Sequence, residues 1–236
     1  MRGLLATLGL LAVAVAPASA GKPDKPVPLL GPGDLDPIRV LPAPPAPGSA
    51  QALAELAELH AVEDARTAAD KAEAAKDGDT KSAAIFAEVL GPRFELDALP
   101  QTRALLDMVR ATEKAVVDRG KDEFKRPRPW IVDPSLKSCK RGDEPLSSYP
   151  SGHTTMAFSM AQILARLVPD QAGKLLDRAA RYGQSRIVCE QHFRSDVTAG
   201  QELGTLVAER LLANREFLAA YGRARAELQD AGIAAR

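Results

Sequence analysis

The fold is decided by the sequence MAFSMAQILARL at residues 156–167. Its apolar residues repeat at intervals of three and four, as in Met156, Met160 and Ile163, which places them on one face of an α-helix. Pro169 then breaks the pattern. We therefore expect a helix with one apolar stripe.

The same helical composition extends to both sides of this stretch. Good helix formers dominate from Ser49 onward, and no segment alternates apolar and polar residues for long. Gly78 and Gly120 are predicted to end two of the helices. The predicted fold class is therefore all-α, a multi-helix bundle. Further helices are expected at Ser49–Lys76, Lys81–Leu90, Ala98–Arg119, Ala172–Tyr182, Asp196–Leu212 and Asn214–Asp230.

The chain divides into three parts. Residues 1–20 have an arginine, an apolar run and a small-residue site at Ala18-Ser-Ala20, which is typical of a signal peptide cleaved after Ala20. We therefore expect a periplasmic or secreted protein. Residues 21–48 are rich in proline and are interpreted as an extended arm on the surface, with a flexible tail as the alternative. Residues 49–236 form a single helical domain.

Composition excludes several classes of function. The 31 Lys and Arg residues balance 31 Asp and Glu residues, so nothing favours a nucleic acid polymer as partner. Three His and two Cys are too few for an ordinary multi-ligand zinc site. No apolar run reaches the ~18 residues of a membrane span, so stable membrane insertion is not expected. The Ala-rich helix faces permit a homodimer without requiring one.

Unusual residues cluster in three segments after Gly120. The first runs from Lys121 to Pro129, the second is Tyr149-Pro-Ser-Gly-His-Thr154, and the third runs from Ser185 to Asp196. The first and second lie in or beside a proline-rich stretch that is predicted to be irregular. Catalytic and binding residues are often carried by such irregular segments between rigid helices.

The second segment reads as the start of a helix that can bind an anion. Ser151 can cap the helix, Gly152 lets a ligand approach the backbone closely, and the free amides together with the helix dipole favour negative charge. His153 in the first turn can then meet that anion. Taken alone, the segment is better interpreted as a helix cap that carries an incidental histidine.

The third segment contains a histidine and a carboxylate four residues apart. On a helix, His192 and Asp196 share a face, and a carboxylate bound to one ring nitrogen would leave the other unprotonated. That arrangement suits a histidine nucleophile or base. Arg186 could bind an oxyanion with its planar guanidinium, and Lys121 and Arg128 add two cations. Each of these residues, read singly, could also be surface charge.

In order, the three segments give the pattern Lys-x6-Arg-Pro, Pro-Ser-Gly-His and Ser-Arg-x5-His-x3-Asp. This pattern resembles the signature of the phosphatidic acid phosphatase type 2 superfamily. Within it, the chain is similar to the bacterial class A non-specific acid phosphatases, from about Leu41 to the C-terminus. The resemblance implies the helical bundle that this superfamily shares with the vanadium haloperoxidases.

The resemblance also implies a reaction. Phosphate monoesters, including nucleotides and aryl phosphates, would be hydrolysed through a phosphohistidine, with phosphate transfer to other acceptors as a side activity. His192 would attack phosphorus, Asp196 would fix its tautomer, and His153 would protonate the leaving oxygen and then activate water. Positioned positive charge can replace a divalent ion, so we expect no metal and no cofactor. The residues implied to hold the phosphate oxygens are Lys121, Arg128, Ser151, Gly152 and Arg186.

Two other functions share these features. A vanadate-dependent haloperoxidase has a similar site, although such chains are usually longer. A non-catalytic phosphoester-binding protein would need the cations but not a histidine nucleophile. An integral-membrane lipid phosphatase is disfavoured because the chain has no spanning segment.

The remaining notable residues receive simpler interpretations. Cys139 and Cys189 are the only cysteines of an exported chain and are expected to form a disulfide, with two free thiols as the alternative. Arg126 and Arg194 are interpreted as surface charge, and His60 as structural or solvent-facing. Two residues beside His192 depart from the family pattern and could alter substrate range and pH optimum: Glu190 and Phe193.

Overall fold

A computed structural model describes residues 26–235, and within these residues the chain forms helices, turns and irregular segments but no strand. This confirms the all-α prediction. The predicted signal peptide, residues 1–20, lies outside the described residues. The α-helices are α1 (Pro37–Val40), α2 (Ala50–Ala65), α3 (Ala68–Asp79), α4 (Ala87–Leu90), α5 (Pro100–Phe124), α6 (Pro129–Val132), α7 (Gly152–Leu167), α8 (Ala172–Val188), α9 (Arg194–Leu212) and α10 (Arg215–Asp230).

Helix α7 lies at the centre of the bundle. It packs against α5, α8 and α9, and α10 covers the outer side of α5. The predicted apolar stripe is buried as expected, and much of the rest of α7 is buried with it. Two glycines bring α9 close to α7, because a Cβ on Gly200 would lie 2.6 Å from the Ser151 carbonyl oxygen and one on Gly204 equally close to that of Thr155. This close approach sets α9 beside the N-terminus of α7.

The helix predicted at Ser49–Lys76 is two helices. The chain breaks at Arg66–Thr67, where the Thr67 hydroxyl accepts from the Asp70 amide and the Asp70 carboxylate accepts from the Thr67 amide. This capping box starts α3. In α2, Leu59 is buried whereas Leu53 is 59% exposed.

Two predicted helix ends are wrong. The glycines expected to end these helices lie inside them, where the missing side chain allows close packing. α3 continues through Gly78 to Asp79, and α5 continues through Gly120 to Phe124. A Cβ on Gly120 would lie 3.0 Å from Pro150 Cδ, so its small size lets the segment before α7 pack against α5. The real end of α5 is Lys125, which adopts the left-handed conformation with φ of 45°.

Three other elements differ from the prediction in extent or burial. The helix expected at Lys81–Leu90 is a 3-10 turn followed by the short α4. α8 runs to Val188 rather than ending at Tyr182, which places Arg186 in its last turn. α10 begins at Arg215, one residue after the predicted start, and buries an apolar stripe that includes Phe217 and Leu228.

The described part of the proline-rich segment packs along α5. Leu30 and Leu35 are buried, the Leu29 amide donates to Thr112 Oγ1 at 3.1 Å, and Tyr149 Oη donates to the Pro42 carbonyl at 2.6 Å. These contacts suit the extended arm that the sequence predicts for residues 21–48. None of the helices within residues 26–235 has the length and hydropathy needed to cross a membrane.

Candidate active site

The three sequence segments meet at one end of the bundle. The segment after α5 supplies Arg128, the start of α7 supplies His153, and the last turn of α8 supplies Arg186, and all three line a cleft of about 460 Å³. His192 lies behind this cleft, with its Nε2 atom 2.8 Å from Arg128 Nη1. Residues separated by more than sixty positions are thus neighbours, as the sequence pattern predicts.

His192 is buried in the turn between α8 and α9, and each of its ring nitrogens has a hydrogen-bond partner. Nδ1 donates to the Ser148 carbonyl oxygen at 2.7 Å, which leaves Nε2 to accept from Arg128. This tautomer has an unshared electron pair on Nε2, the atom that faces the cations of the cleft. The arrangement fits a ring nitrogen that acts as a nucleophile.

The predicted direct bond between His192 and Asp196 is not the contact that fixes the ring. Asp196 Oδ2 lies 3.5 Å from Nδ1, and this oxygen accepts instead from Ser148 Oγ at 2.6 Å and from the Phe193 amide at 2.8 Å. Asp196 therefore acts through Ser148, whose carbonyl holds the ring and whose hydroxyl binds the carboxylate. The physical reason is geometric, because His192 precedes α9 and does not share a helical face with Asp196.

Arg126 contradicts its interpretation as surface charge. Its side chain is buried between two carboxylates, with Nη1 2.6 Å from Asp196 Oδ1 and Nη2 2.8 Å from Glu55 Oε2. The guanidinium also lies over the ring of Phe193, 4.4 Å from its centroid. No local signal could have revealed this role, because both acidic partners are about seventy positions away. Arg194 does match its interpretation and pairs with Glu58 at the partly exposed surface.

Two cations of the pattern, Arg128 and Arg186, line the cleft, and the third, Lys121, lies beside the start of α7. Arg128 is held by Ser147 Oγ, 3.1 Å from Nη2, and by the Gln191 carbonyl, 2.7 Å from Nη1. Arg186 is only 5% exposed, yet its Nε and Nη1 atoms have no hydrogen-bond partner among residues 26–235. A buried guanidinium with unmet donors is suited to an anionic ligand. Lys121 Nζ lies near the start of α7, 3.7 Å from where a Cβ on Gly152 would be.

His153 is fixed from α3 rather than from its own helix. Its Nε2 atom lies 3.0 Å from the Gly78 carbonyl oxygen and donates to it. A Cβ on Gly78 would lie 2.3 Å from Arg186 Nη1, so a glycine here leaves room for the Arg186 guanidinium beside the segment that holds His153. Gly78 is therefore a site residue that sequence reasoning missed by treating it as a helix stop.

Ser151 and Gly152 occupy the N-terminus of α7 as predicted. Ser151 is the N-cap, and its hydroxyl oxygen accepts from the Thr154 amide and from Thr154 Oγ1. Because both acceptor positions are used, the hydroxyl hydrogen is left for another partner. The helix dipole at this end favours a bound anion.

Burial and nearby cations lower the pKa of both histidines. Burial, followed by Arg128 and Arg186, holds the pKa of His192 well below its usual value. Burial and Arg186 likewise hold the pKa of His153 well below the usual range. Burial also lowers the pKa of Lys121, and it lowers the pKa of Arg128 to about 10. The ligand-free site thus combines neutral imidazoles with positive guanidinium groups.

Cys139 and Cys189 form the predicted disulfide. It joins the irregular segment after α6 to the residue that follows α8, and both cysteines line the cleft. The Cys139 amide adds a hydrogen bond to the Cys189 carbonyl. The bridge thus fastens one rim of the cleft to the helix that carries Arg186.

Glu190 and Phe193 face away from the cleft. Glu190 is buried on the α2 side, 2.8 Å from Arg66, and burial together with Glu63 raises its pKa to about 7. Phe193 packs below Arg126. Neither residue lines the cleft, so an effect on substrate range would have to act indirectly. His60 is partly exposed and pairs with Asp133 at 2.8 Å, which confirms its structural interpretation.

Fold and site together define a helical protein with neutral histidines and buried cations around one cleft. The family model of the PAP2 superfamily matches residues 108–216. An acid phosphatase of Zymomonas mobilis is 32% identical over 207 residues, which cover 85% of this chain and 78% of that protein. The non-specific acid phosphatase of Providencia stuartii is 30% identical over 191 residues, which cover 78% and 77%.

The chain therefore belongs to the PAP2 superfamily and, within it, to the acid phosphatases. The crystal structure of Aquifex aeolicus LpxE has the same fold, with a TM-score of 0.53 over 67% of this chain and 94% of that one. At 23% identity, this likeness concerns the fold alone.

Proposed function

We propose that this PAP2-family acid phosphatase hydrolyses phosphate monoesters in two steps through a phosphohistidine on His192. The observation that carries the proposal is the Nε2 atom of His192. It is unprotonated because Nδ1 donates to Ser148, and it faces Arg128. Arg186 in the same cleft has buried donors that a phosphoryl group would satisfy.

In the first step, Nε2 of His192 attacks phosphorus while the bond to the leaving oxygen breaks. His153 donates a proton to that oxygen, so an alcohol departs. Because Nε2–H of His153 is engaged by Gly78, the proton that moves is the one on Nδ1. In the second step, His153 removes a proton from water, the oxygen of that water bonds to phosphorus, and the phosphorus–nitrogen bond breaks. Inorganic phosphate then leaves, and both rings have their original protons.

The charge of the phosphoryl group is carried by the protein in this proposal. Lys121, Arg128 and Arg186 bind the nonbridging oxygens, with Ser151 and the Gly152 amide at the start of α7. A loose phosphoryl transition state needs little more than positioned positive charge. Within residues 26–235, no three His, Cys, Asp or Glu side chains are grouped to hold a metal ion, and the proposed reaction gives a metal no part.

Bound phosphate also favours activity in acidic solution. Burial and, after it, the charge of Arg186 hold the pKa of His153 well below its usual value. A phosphate dianion on Arg186 opposes that charge and raises the pKa of His153, so the acid is protonated when substrate is bound. Export to the periplasm, a broad substrate range that includes nucleotides and aryl phosphates, phosphate transfer to other acceptors and homodimer formation remain predictions.

The test compares the three histidines of the chain. With p-nitrophenyl phosphate at acidic pH and a chelator present, His192→Ala is expected to lose at least about 10⁴-fold in kcat and all covalent labelling. His153→Ala should lose most with alkyl phosphates, whose leaving groups need a proton, and less with p-nitrophenyl phosphate. His60→Ala, which alters a partly exposed pair outside the cleft, is the matched control and keeps full activity.

Two results would contradict the proposal. Labelling that persists in His192→Ala would place the covalent intermediate elsewhere, and activity abolished by the chelator would require a metal. Halide oxidation by the vanadate-loaded protein, without phosphatase activity, would favour the haloperoxidase alternative.

A further inference from the structure

A recess of about 170 Å³ adjoins the cleft on the His153 side. The two spaces share His153, Lys81 and Glu144. Arg128 and Arg186 line only the cleft, whereas Lys121 and Gly152 line only the recess. The recess continues between α5 and α7, where Glu113 and Met156 form part of its wall. A phosphoryl group held by ligands from both spaces would lie where they meet, beside His153, and the recess extends from that point between α5 and α7.

Glu113 has no role in the proposed reaction, and its environment is unusual. The side chain is 0% exposed, with Oε1 in contact with Arg110 and Oε2 without a hydrogen-bond partner among residues 26–235. Burial raises the pKa of Glu113 to about 7 despite the opposing effect of Arg110. In acidic solution the group is thus a neutral carboxylic acid, which can both donate and accept a hydrogen bond.

The position of the recess matches that of a departing alcohol. In phosphoryl transfer the attacking and leaving atoms lie roughly in line on opposite sides of phosphorus. His192 attacks from the Ser148 and Arg128 side, and His153 gives its proton to the leaving oxygen. The rest of the leaving group therefore extends past His153, where the recess begins.

We propose that this recess is the leaving-group subsite and that it selects small polyhydroxylated alcohols, with the Glu113 carboxyl group hydrogen-bonded to a substrate hydroxyl. The proposal rests on the proposed function. The volume equals that of about six waters at ~30 Å³ each, which suits a polyol of three to five carbons. A hydroxyl would satisfy the orphan Oε2, whereas an alkyl chain would leave it unpaired in the recess.

The experiment measures, at pH 5, the ratio of kcat/KM for glycerol 1-phosphate to kcat/KM for propyl phosphate. The ratio cancels any general loss of activity. Glu113→Met, which removes both hydrogen-bonding oxygens at similar length, is expected to lower the ratio about 10-fold. Glu113→Gln retains one hydrogen-bond donor group and one acceptor, so its ratio is expected to stay close to that of the unaltered enzyme. Glu123→Met, at an exposed position on the same helix, is the control and leaves the ratio unchanged.

The outcomes separate the two proposals. An unchanged ratio in Glu113→Met, or equal losses in the Met and Gln variants, would overturn the subsite, since the effect would then be absent or due to packing. If Glu113→Met does not fold, glycerol must still inhibit the unaltered enzyme more strongly than propanol does, and equal inhibition would overturn the subsite. A protein that hydrolyses neither ester nor p-nitrophenyl phosphate would overturn the proposed function, and the subsite with it.

Discussion

The two histidines of the site stand in contrasting surroundings. The side that holds the proposed nucleophile is called the nucleophile wall and comprises Arg126, Ser148, His192 and Asp196. It is buried, and its side-chain polar atoms are satisfied within the described chain. The side that holds the proposed acid is called the acid wall and comprises Gly78, Glu113, His153 and Arg186. It contains buried polar atoms of Glu113 and Arg186 that have no partner among residues 26–235.

The contrast shows how the fold divides the work of the site. A group that must attack along one direction benefits from being held by partners that do not change during the reaction. Donors that must bind a ligand need to be left open, although an unpaired buried group costs stability. On this reasoning the nucleophile wall contributes rigidity, and the acid wall contributes binding capacity.

The largest effect is expected from a substitution in the nucleophile wall. Arg126→Met leaves Glu55 and Asp196 buried without their shared cation, and should lower the free energy of unfolding by about 3–5 kcal/mol. Arg194→Ala, which breaks the partly exposed pair with Glu58, should change it by only about 0–1 kcal/mol. Urea unfolding at neutral pH measures both. Equal losses of unfolding free energy in the two variants would mean that the buried pairs of Arg126 stabilise the protein no more than the partly exposed pair of Arg194.

Removal of the disulfide loosens the rim of the cleft. The bridge closes a loop with a sequence separation of 50, so Cys139→Ser with Cys189→Ser should cost about 4 kcal/mol in the chain-entropy model. Thermal unfolding under identical buffer conditions measures the loss. Because the contacts of His192 lie in the nucleophile wall, phosphorylation of the ring should persist in the variant under native conditions. Loss of labelling while the protein is folded would show that the two regions are coupled.

A smaller effect is expected when Gly78 is altered. Gly78→Ala introduces a Cβ against Arg186 Nη1 and should displace Arg186 or the carbonyl that holds His153, with a loss of about 10–100-fold in kcat/KM. Gly173→Ala is the matched control, since it also lies in a helix and its Cβ would have nothing within 4 Å. Steady-state kinetics with one aryl phosphate compare the two. Full activity in Gly78→Ala would show that Arg186 and the carbonyl that holds His153 can be displaced without loss of activity.

The smallest effect is a displacement of the pH profile. Arg186 lowers the pKa of His153, so Arg186→Gln should raise that pKa and move the alkaline limb of kcat to higher pH, because His153 acts as an acid only when protonated. The rate itself will also fall, since phosphate loses a ligand. Arg181→Gln, on the same helix but exposed, should leave the limb in place. A limb that moves to lower pH in Arg186→Gln would contradict the assignment of His153.

The helices were largely predictable because their signals are local. The stripe through Met156, Met160 and Ile163 needs only the helical period to be recognised, and the structure buries all three residues. The errors occurred where tertiary packing outweighs local preference. Gly120 reads as a stop signal, yet its missing side chain makes room for Pro150 against a continuous helix.

The candidate site was predictable as a set of residues but not as a set of contacts. Spacing identified His153, Arg186 and His192, which converge as expected. The hydrogen bonds among them were not predictable. Ser148 stands between His192 and Asp196, and Gly78 rather than a charged group holds His153. Ser148 lies 44 positions from His192, and Gly78 lies 75 positions from His153. No local sequence pattern could indicate contacts at such separations.

By itself, the amino-acid sequence predicted the helical class of this protein, the pairing of its only two cysteines and the three segments proposed to carry its chemistry. The first two follow from composition and local periodicity, and the third from the resemblance of the combined segments to a family pattern. Only the tertiary structure decided which charges are buried and which partners they have: Arg126 was ranked with Arg194 in sequence but lies between two carboxylates in the core. Burial depends on how distant segments pack, and burial is what raises the pKa of Glu113 and lowers that of both site histidines.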